Sequence, residues 1–273
     1  MAFLASHCCA AKDVSSSFTF VVIGDTRPGG GQYEQPRVFK QMVGEIAKLK
    51  PAFVLHTGDF VPGSSDLTKL KRQYWEFKKV MDTVGVPYYL ALGNHEISGA
   101  DAHRLFRSLL GKTYYAFNYG NSHFVALDAA MPGDMHRIND VQFAWFEMNL
   151  AAAKGKSDHV FVMGHDPLYP VDGHIGSSLD AHPERRDQLA ALLKKYGAVY
   201  FAGHEHLFDH GVYNGLTQVI TGGGGAGLYK SKKGTGDFHH YVIVTVNGRS
   251  AKMSVARPGE KPAPSVDLKP RAP

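Results

Sequence analysis

Cysteine is nearly absent from this sequence of 273 residues, in which the two cysteines, Cys8 and Cys9, are neighbours close to the N-terminus. Adjacent cysteines rarely bond to each other, because the resulting disulfide would be strained. The rest of the chain therefore has no disulfide framework, and it has no thiolate for catalysis. Any catalytic chemistry must come from other side chains.

A long apolar run is missing as well, and no stretch of the sequence is suited to span a membrane. Residues 1–11 are small and apolar, like the end of a secretory signal, but they lack its basic start and full-length apolar core. We expect residues 1–17 to be leader-like or disordered. If they are the remnant of a signal peptide, the protein is periplasmic or secreted; otherwise we expect it in the cytoplasm.

The sequence has no strong excess of charge, since 30 Lys and Arg oppose 25 Asp and Glu and leave a net charge of +5. This mild excess is compatible with an anionic substrate. The basic residues are scattered, so they give no strong signal for nucleic acid. The sequence leaves the oligomeric state open.

Apolar strands alternate with helical patterns in the first part of the chain. Segments 18–24, 52–56 and 86–91 predict buried strands. Between them, apolar residues at helical spacing predict helices over 34–50 and 67–84. This alternation is typical of parallel βαβ units, in which sites form at the carboxyl edge of the sheet.

The second part of the chain is predicted to mix antiparallel and parallel strands. Strands are predicted over 114–118, 123–128, 159–164, 198–202, 218–221, 241–246 and 251–256, and helices over 140–154 and 184–196. Segment 168–183, rich in Gly, Pro, Ser and His, predicts a long irregular loop that can act as a lid. We expect one domain over 18–256, followed by a Pro-rich tail, 257–273, that is disordered or lies on the surface.

Polar side chains follow five of the predicted strands, and most of them stand next to a glycine. They are Asp25, Asp59, Asn94 with His95, His165, and His204 with His206. The turn preference of a Gly-Asn pair explains one such strand end, but it does not explain five.

Grouped together, these side chains form two overlapping sets of metal ligands. Asp25, Asp59 and His206 would hold one divalent cation, and Asp59 with Asn94, His165 and His204 would hold a second. Mixed nitrogen and oxygen ligands suit manganese, iron or zinc rather than calcium.

Five motifs give the sequence a resemblance to the calcineurin-like metallophosphoesterases, which include the purple acid phosphatases. They are Gly24-Asp25, Gly58-Asp59, Gly93-Asn94-His95-Glu96, Gly164-His165 and Gly203-His204-Glu205-His206. The resemblance covers roughly residues 18–256 and implies an α/β fold, namely a four-layer αββα sandwich with two mixed β-sheets. It implies two divalent metal ions and a small phosphoester substrate. It also implies hydrolysis of phosphate mono- or diesters by attack of a metal-bridging hydroxide.

The resemblance also assigns roles to individual residues. Asp59 would bridge the two metals, and Asn94 would bind one of them. His95 would stand beside the metals, bind a phosphate oxygen and protonate the leaving group. The substrate itself is left open, and we expect the loops 129–140 and 166–183 to determine it.

One position departs from the family pattern, in which the first block usually reads Asp-x-His. Here it reads Asp25-Thr26-Arg27, and Pro62 stands where the purple acid phosphatases supply a tyrosine ligand. The first metal therefore lacks a ligand and can be weakly bound until substrate completes it. Alternatively, Arg27 binds a phosphate oxygen as a catalytic residue, or it takes the place of the first metal and leaves one ion. Equally, Arg27 can point to solvent or pair with a surface acid.

A non-catalytic binding protein with the same fold and a degraded metal centre is the alternative to an enzyme, and Arg27 is its only support.

Other polar residues near the motifs are expected to have structural or supporting roles. Asp128 is predicted to form structural hydrogen bonds, Asp166 to orient a ligand histidine, and Glu205 to face away from the site. The histidines of the irregular loops are predicted to be solvated, although they can contact substrate: His136, His174 and His182.

Overall fold

The computed structural model describes residues 16–97, 99–230 and 236–268, so the leader-like segment lies almost entirely outside the described residues. The helices are α1 (Arg37–Leu49), α2 (Leu67–Met81), α3 (Ala100–Leu109), α4 (Asp140–Ala153) and α5 (Pro183–Lys195). The strands are β1 (Ser17–Ile23), β2 (Val54–His56), β3 (Tyr88–Leu90), β4 (Tyr115–Tyr119), β5 (Ser122–Ala126), β6 (Ala130–Met131), β7 (Asp134–Met135), β8 (His159–Met163), β9 (Val199–Ala202), β10 (Phe208–Tyr213), β11 (Leu216–Thr221), β12 (Tyr241–Asn247), β13 (Ser250–Ala256) and β14 (Val266–Asp267).

The strands form two mixed sheets of six strands each, as predicted. The first sheet has the order β14-β13-β12-β1-β2-β3, in which β1, β2 and β3 are parallel and the others antiparallel. The second has the order β10-β11-β9-β8-β5-β4, in which the four central strands are parallel and the two edge strands antiparallel. Strands β6 and β7 form a separate hairpin.

Three apolar cores separate four layers. Alternate residues of β1 point to opposite faces, so that Phe20 and Val22 join the core between the sheets, whereas Val21 and Ile23 join the core under α1 and α2. A third core packs α4 and α5 on the outer face of the second sheet. The two sheets thus lie face to face between outer helices, which confirms the predicted α/β sandwich.

Besides the short strands β6, β7 and β14, one helix and one longer strand were not predicted from the sequence. Helix α3 begins after Gly99, which has no side chain to cap it, and only Ala102, His103 and Phe106 are buried. Strand β10 is an edge strand whose residues are mostly half-buried, so it lacks the apolar alternation that marks a buried strand.

The Pro-rich C-terminal segment runs along the surface and then joins the first sheet. Strand β14 pairs with β13, and Leu268 is buried in the core between the sheets. In the part of the chain that the structure describes, no helix combines the length and the apolar character needed to cross a membrane.

Candidate metal centre

The predicted ligands follow parallel strands at the carboxyl edges of both sheets. Asp25, Asp59 and Asn94 follow β1, β2 and β3 of the first sheet, and we call them the oxygen half of the centre. The other three ligands, which we call the nitrogen half, follow β8 and β9 of the second sheet: His165, His204 and His206. The face-to-face sheets bring the two halves together at one end of the sandwich.

Three of the ligands have an unusual backbone conformation. Asp25, Asp59 and His204 lie in the left-handed region, with φ of 55°, 55° and 70°. This region is unfavourable for residues other than glycine by about 1 kcal/mol or more. Glycines next to the ligands allow close approach, since a Cβ on Gly93 or Gly203 would lie 2.3 Å from a ligand carboxylate oxygen. The backbone is thus arranged to turn these side chains inward.

The two halves bring their oxygen and nitrogen atoms close together at this end of the sandwich. Nε2 of His165 lies 3.4 Å from Asp59 Oδ1 and 3.0 Å from Asn94 Oδ1. The same atom lies 3.1 Å from Nδ1 of His204. On the other side, Nε2 of His206 lies 3.5 Å from Asp25 Oδ1. Ligand-type atoms of Asp25, Asp59 and His165 all lie within 4.8 Å of one another.

Backbone carbonyls fix the orientation of all three ligand histidines. His165 Nδ1 donates to Thr57 O at 2.9 Å, and His204 Nε2 donates to Ser177 O at 2.9 Å. His206 Nδ1 donates to Gly227 O at 2.6 Å. A carbonyl only accepts, so each of these nitrogens carries a proton and the other ring nitrogen faces the centre, where it can bind a metal ion as neutral imidazole. The residues present therefore fit divalent metal ions.

The electrostatics of the centre also favour cations. Burial opposes a charge on His165, but the carboxylates of Asp59 and Asp25 raise the pKa of His165 to about 9. Burial likewise opposes the charge on Asp59, yet His165 and His95 hold the pKa of this carboxyl below its ordinary value. The buried acids thus attract positive charge, which metal ions supply at their ligand positions.

Two buried carboxylates that are not ligands hold the loops of the centre in place. Glu96 accepts backbone N–H groups of Asp59, Phe60, Val61 and Gly93 at 2.7–3.2 Å. Glu205 accepts backbone N–H groups of Val171, Asp172 and His174 at 2.6–3.4 Å. Glu96 therefore fixes the oxygen half, and Glu205 fixes the loop that covers the nitrogen half.

His95 borders the centre without belonging to either ligand set. Its backbone N–H donates to Asp59 Oδ1 at 3.1 Å, and its Nδ1 lies 2.8 Å from Pro62 O. This leaves Nε2 at 3.8 Å from Asp59 Oδ2, with the side chain 30% exposed. Because Pro62 O only accepts, Nδ1 carries a proton, and the imidazolium form has a second proton on Nε2 that can reach a group bound at the centre.

Arg27 turns toward the centre rather than toward a surface acid. Its Nε lies 3.6 Å from Asp59 Oδ2, and its side chain is 21% exposed. Nε is buried and makes no hydrogen bond with any described residue. The guanidinium therefore has donor capacity beside the carboxylate that is predicted to be shared by both metals.

Two loop histidines lie against the centre, so the prediction that they are solvated is wrong for them. His174 stacks on His204 with ring centroids 3.8 Å apart, and its Nε2 hydrogen-bonds Tyr229 Oη at 2.9 Å. His136 Nδ1 lies 2.6 Å from Asp166 Oδ2. Asp166 thus bonds His136 instead of a ligand histidine, while His182 is exposed as predicted.

Tyr229 is a further neighbour of the centre that the sequence did not single out. Its ring stacks on His206 at 4.5 Å between centroids. No motif spacing marks Tyr229, and it lies near the centre because the chain passes close to it after the glycine tract.

Asp128 accepts hydrogen bonds from His103 Nε2 and from the backbone of Ala130, which confirms its structural role.

Taken together, the carboxylates, the amide, the inward-turned imidazoles and the neighbouring His95 have the composition of a metal-dependent hydrolase site. The family model for calcineurin-like phosphoesterase matches residues 18–208, which is more than half of the chain. The chain belongs to this family and is a hydrolase of phosphoester bonds.

Similar proteins support this assignment. The chain is 27% identical over 243 residues to the serine/threonine-protein phosphatase CPPED1 of Danio rerio, covering 82% of this chain and 76% of that protein. It is 28% identical over 264 residues to tartrate-resistant acid phosphatase type 5 of Rattus norvegicus, covering 81% and 76%. The fold matches purple acid phosphatase PPD1 from yellow lupin with a TM-score of 0.78 at 18% identity, covering 94% of this chain and 54% of that chain.

Proposed function

We propose that the chain hydrolyses phosphate mono- or diesters at a centre of two divalent metal ions, with manganese, iron or zinc as the ions. The observation that carries the proposal is the orientation of the three histidines, whose nitrogens that do not bond carbonyls face the two carboxylates, the amide oxygen and one another. When bound, two such ions act as Lewis acids toward the phosphoryl group and lower the pKa of a water.

The protein contributes binding, orientation and proton transfer to this chemistry. His95 is the proton donor for the leaving alkoxide in its imidazolium form, because Nδ1 donates to Pro62 O and the second proton, on Nε2, faces the centre. Asp59 receives the backbone N–H of His95 and lies beside His165, so this one carboxylate would help to hold the metals and also positions the acid.

Arg27 is proposed to bind an oxygen of the phosphoryl group. Its Nε has no hydrogen bond with the described residues, and it lies beside Asp59. A guanidinium matches phosphate geometry and stays charged at any pH of interest. The first metal would have only Asp25, Asp59 and His206 as protein ligands, so it would be held more weakly than the second.

The direct test is turnover of p-nitrophenyl phosphate and its bis-ester by the manganese-loaded protein and its variants. His95→Ala is expected to lower kcat by about 100- to 10,000-fold, the usual contribution of a general acid, while retaining metal. Asp59→Ala is expected to lose both metal and turnover. His182→Ala, which changes an exposed histidine, serves as the matched control.

Metal content separates this proposal from a non-catalytic binding protein with a degraded centre. Elemental analysis of the wild type should give bound metal, and the Asp59→Ala protein should give little. Full activity of the Asp59→Ala protein would contradict the proposed centre, and a wild type that retains no metal would favour the binding protein.

A further inference from the structure

The outermost strands of the two sheets differ in how they are protected against pairing with another chain. Strand β3 has three residues and follows Pro87, β14 has two residues, and β10 contains Asp209 and Gly211. Short length, charge and proline are the usual means by which a sheet edge avoids a foreign strand. Strand β4 has five residues, Tyr-Ala-Phe-Asn-Tyr, without a charge, a proline or a glycine. Among the edge strands of the described chain, β4 is therefore the least protected.

The hairpin of β4 and β5 determines which main-chain groups of β4 point outward. Two residues join the strands, the first of them Gly120 with φ of 55°, and Tyr119 faces Ser122 as the closing pair. In such a hairpin the closing pair is hydrogen-bonded, and bonded and unbonded positions alternate along the strand. The N–H and C=O groups of Ala116 and Asn118 therefore point away from β5. No described residue bonds these four groups, so β4 offers two free donors and two free acceptors.

A groove runs along β4 between this strand and α4. A cavity of about 550 Å³ lies at the start of β4, and a second of about 430 Å³ lies toward its end. The two cavities share Ala116 and Asn149, and together we call them the β4 groove. Tyr114 and Trp145 line its first part and pack against each other at 4.9 Å between ring centroids. The β4 groove thus accompanies the strand whose outward main-chain groups are free.

The Lys and Arg side chains of the β4 groove are not balanced by acids. Arg107 and Lys112 line its first part, and Lys156 lines its second part. Within the described chain, no Asp or Glu lines either cavity, and none of these three side chains forms an ion pair. Both ends of the groove therefore carry positive charge that attracts an anionic partner.

A second copy of this chain fits the β4 groove poorly. In a symmetric dimer the two β4 strands would run antiparallel, so that the start of each strand would lie beside the end of the other. Lys156 of one copy would then approach Arg107 and Lys112 of its partner, and like charges brought together oppose association. A segment with acidic residues toward both ends does not meet this repulsion.

We propose that β4 and the β4 groove bind an extended acidic segment of a partner protein, about five residues long, which is the length of β4. The segment adds to the second sheet as a strand, its main chain bonds the outward groups of Ala116 and Asn118, and alternate side chains enter the groove. Carboxylates near its ends pair with the basic residues, which are Arg107, Lys112 and Lys156. None of these residues belongs to the candidate metal centre, so the inference does not rest on the proposed function.

The test measures binding of a dye-labelled acidic peptide to the full chain by fluorescence anisotropy. The peptide is Glu-Thr-Val-Thr-Val-Thr-Glu, whose β-branched residues favour an extended strand. One control peptide has lysine in place of both glutamates, and another has N-methyl groups on the threonine and valine amides, which then cannot donate to β4. The acidic peptide is expected to bind, and both control peptides are expected to bind about tenfold more weakly or not at all.

A proline variant tests the main-chain bonds of β4. Ala116→Pro removes one outward N–H and leaves the pairing with β5, because an edge strand tolerates proline where the N–H faces outward. It is expected to weaken binding of the acidic peptide about 3- to 10-fold. Val212→Pro is the matched control, because Val212 has an outward N–H in the edge strand β10, whose hairpin also closes through two residues.

A charge variant tests the ends of the groove without changing the backbone. The double variant Arg107→Gln with Lys112→Gln is expected to weaken binding of the acidic peptide about 3- to 10-fold and to reduce its dependence on salt. Lys252→Gln, which changes an exposed lysine on β13 of the first sheet, is the control. Phosphoester turnover should be the same in all of these variants as in the wild type.

Three results would overturn the inference. Failure of the acidic peptide to bind, or equal binding of the lysine peptide, would exclude an acidic partner. Unchanged binding of the N-methylated peptide, or unchanged binding by Ala116→Pro, would exclude strand addition at β4. Dimerisation of the wild type in sedimentation experiments that Ala116→Pro abolishes would assign the edge to a second copy of the chain.

Discussion

The two halves of the centre are built on matching positions but are supported differently. The oxygen half lies on short loops after β1, β2 and β3, and Glu96 joins two of these loops inside the fold. In the nitrogen half, Glu205 instead supports the irregular segment above the ligands through Val171, Asp172 and His174. Glu96 thus joins loops within the oxygen half, whereas the nitrogen half is covered by an irregular segment in the region that we expect to determine the substrate.

Removal of each supporting carboxylate should lower the stability of the protein, and we expect a much larger loss for Glu96 than for Glu205. Glu96→Ala leaves four buried N–H groups without an acceptor and is expected to cost about 4 kcal/mol of unfolding free energy, at about 1 kcal/mol each. Glu205→Ala is expected to cost about 1–2 kcal/mol, because its half-buried partners can reach water. Denaturant unfolding and metal analysis of the two variants measure these effects. Equal losses of unfolding free energy in the two variants would contradict the distinction between the halves.

The missing ligand of the oxygen half should be restored by Arg27→His. The variant supplies the nitrogen that the family pattern has in the first block, so the first metal should bind about 10- to 100-fold more tightly. The metal content after dialysis, measured by elemental analysis, should then rise from about one ion per chain in the wild type toward two in the variant. Arg37→His, at the exposed start of α1, is the control. A wild type that already retains both ions would show that Arg27 does not weaken the first site.

The most gradual expected effect, which is spread over several pH units, concerns the acid stability of the oxygen half. Nδ1 of the buried His56 accepts the backbone N–H of Gly58, and its Nε2 lies 3.0 Å from Thr26 Oγ1. Burial lowers the pKa of His56 from 6.5 to about 3. Below its unfolded pKa of 6.5 the unfolded chain binds a proton that the folded chain excludes, so stability falls as the pH drops. The slope is at most about 1.4 kcal/mol per pH unit.

His56→Gln provides the comparison, because an amide keeps a donor and an acceptor but does not titrate. The wild-type melting temperature should fall more steeply than that of the variant as the pH is lowered below 6.5. Parallel curves would show that another group dominates the acid response.

Much of the fold and of the ligand set could be predicted from the sequence, because both depend on local patterns. Apolar runs that end in Gly-Asp or Gly-His place polar residues at strand ends, and parallel strands bring their ends to one edge. The partners of these residues are not local. His136 and Asp166 stand thirty positions apart with no periodicity between them, and the contact depends on the packing of two loops.

The same reason explains the elements that the sequence did not predict. Helix α3 has no side-chain cap at its start, and β10 contains Asp209, His210 and Gly211, which weaken any strand pattern. Their places in the structure come from neighbouring elements: α3 packs on α2, and β10 pairs with β11. The orientation of Arg27 was also left open by the sequence, since a glycine-rich loop does not determine where a long side chain points.

The main-chain carbonyls that orient the ligand imidazoles have a consequence for how such proteins diversify. Thr57, Ser177 and Gly227 contribute through oxygens that every amino acid carries, so replacement of their side chains leaves the anchoring groups in place. Related proteins are therefore free to change residues at these positions, and with them the walls of the pocket, while the tautomer of each imidazole stays the same.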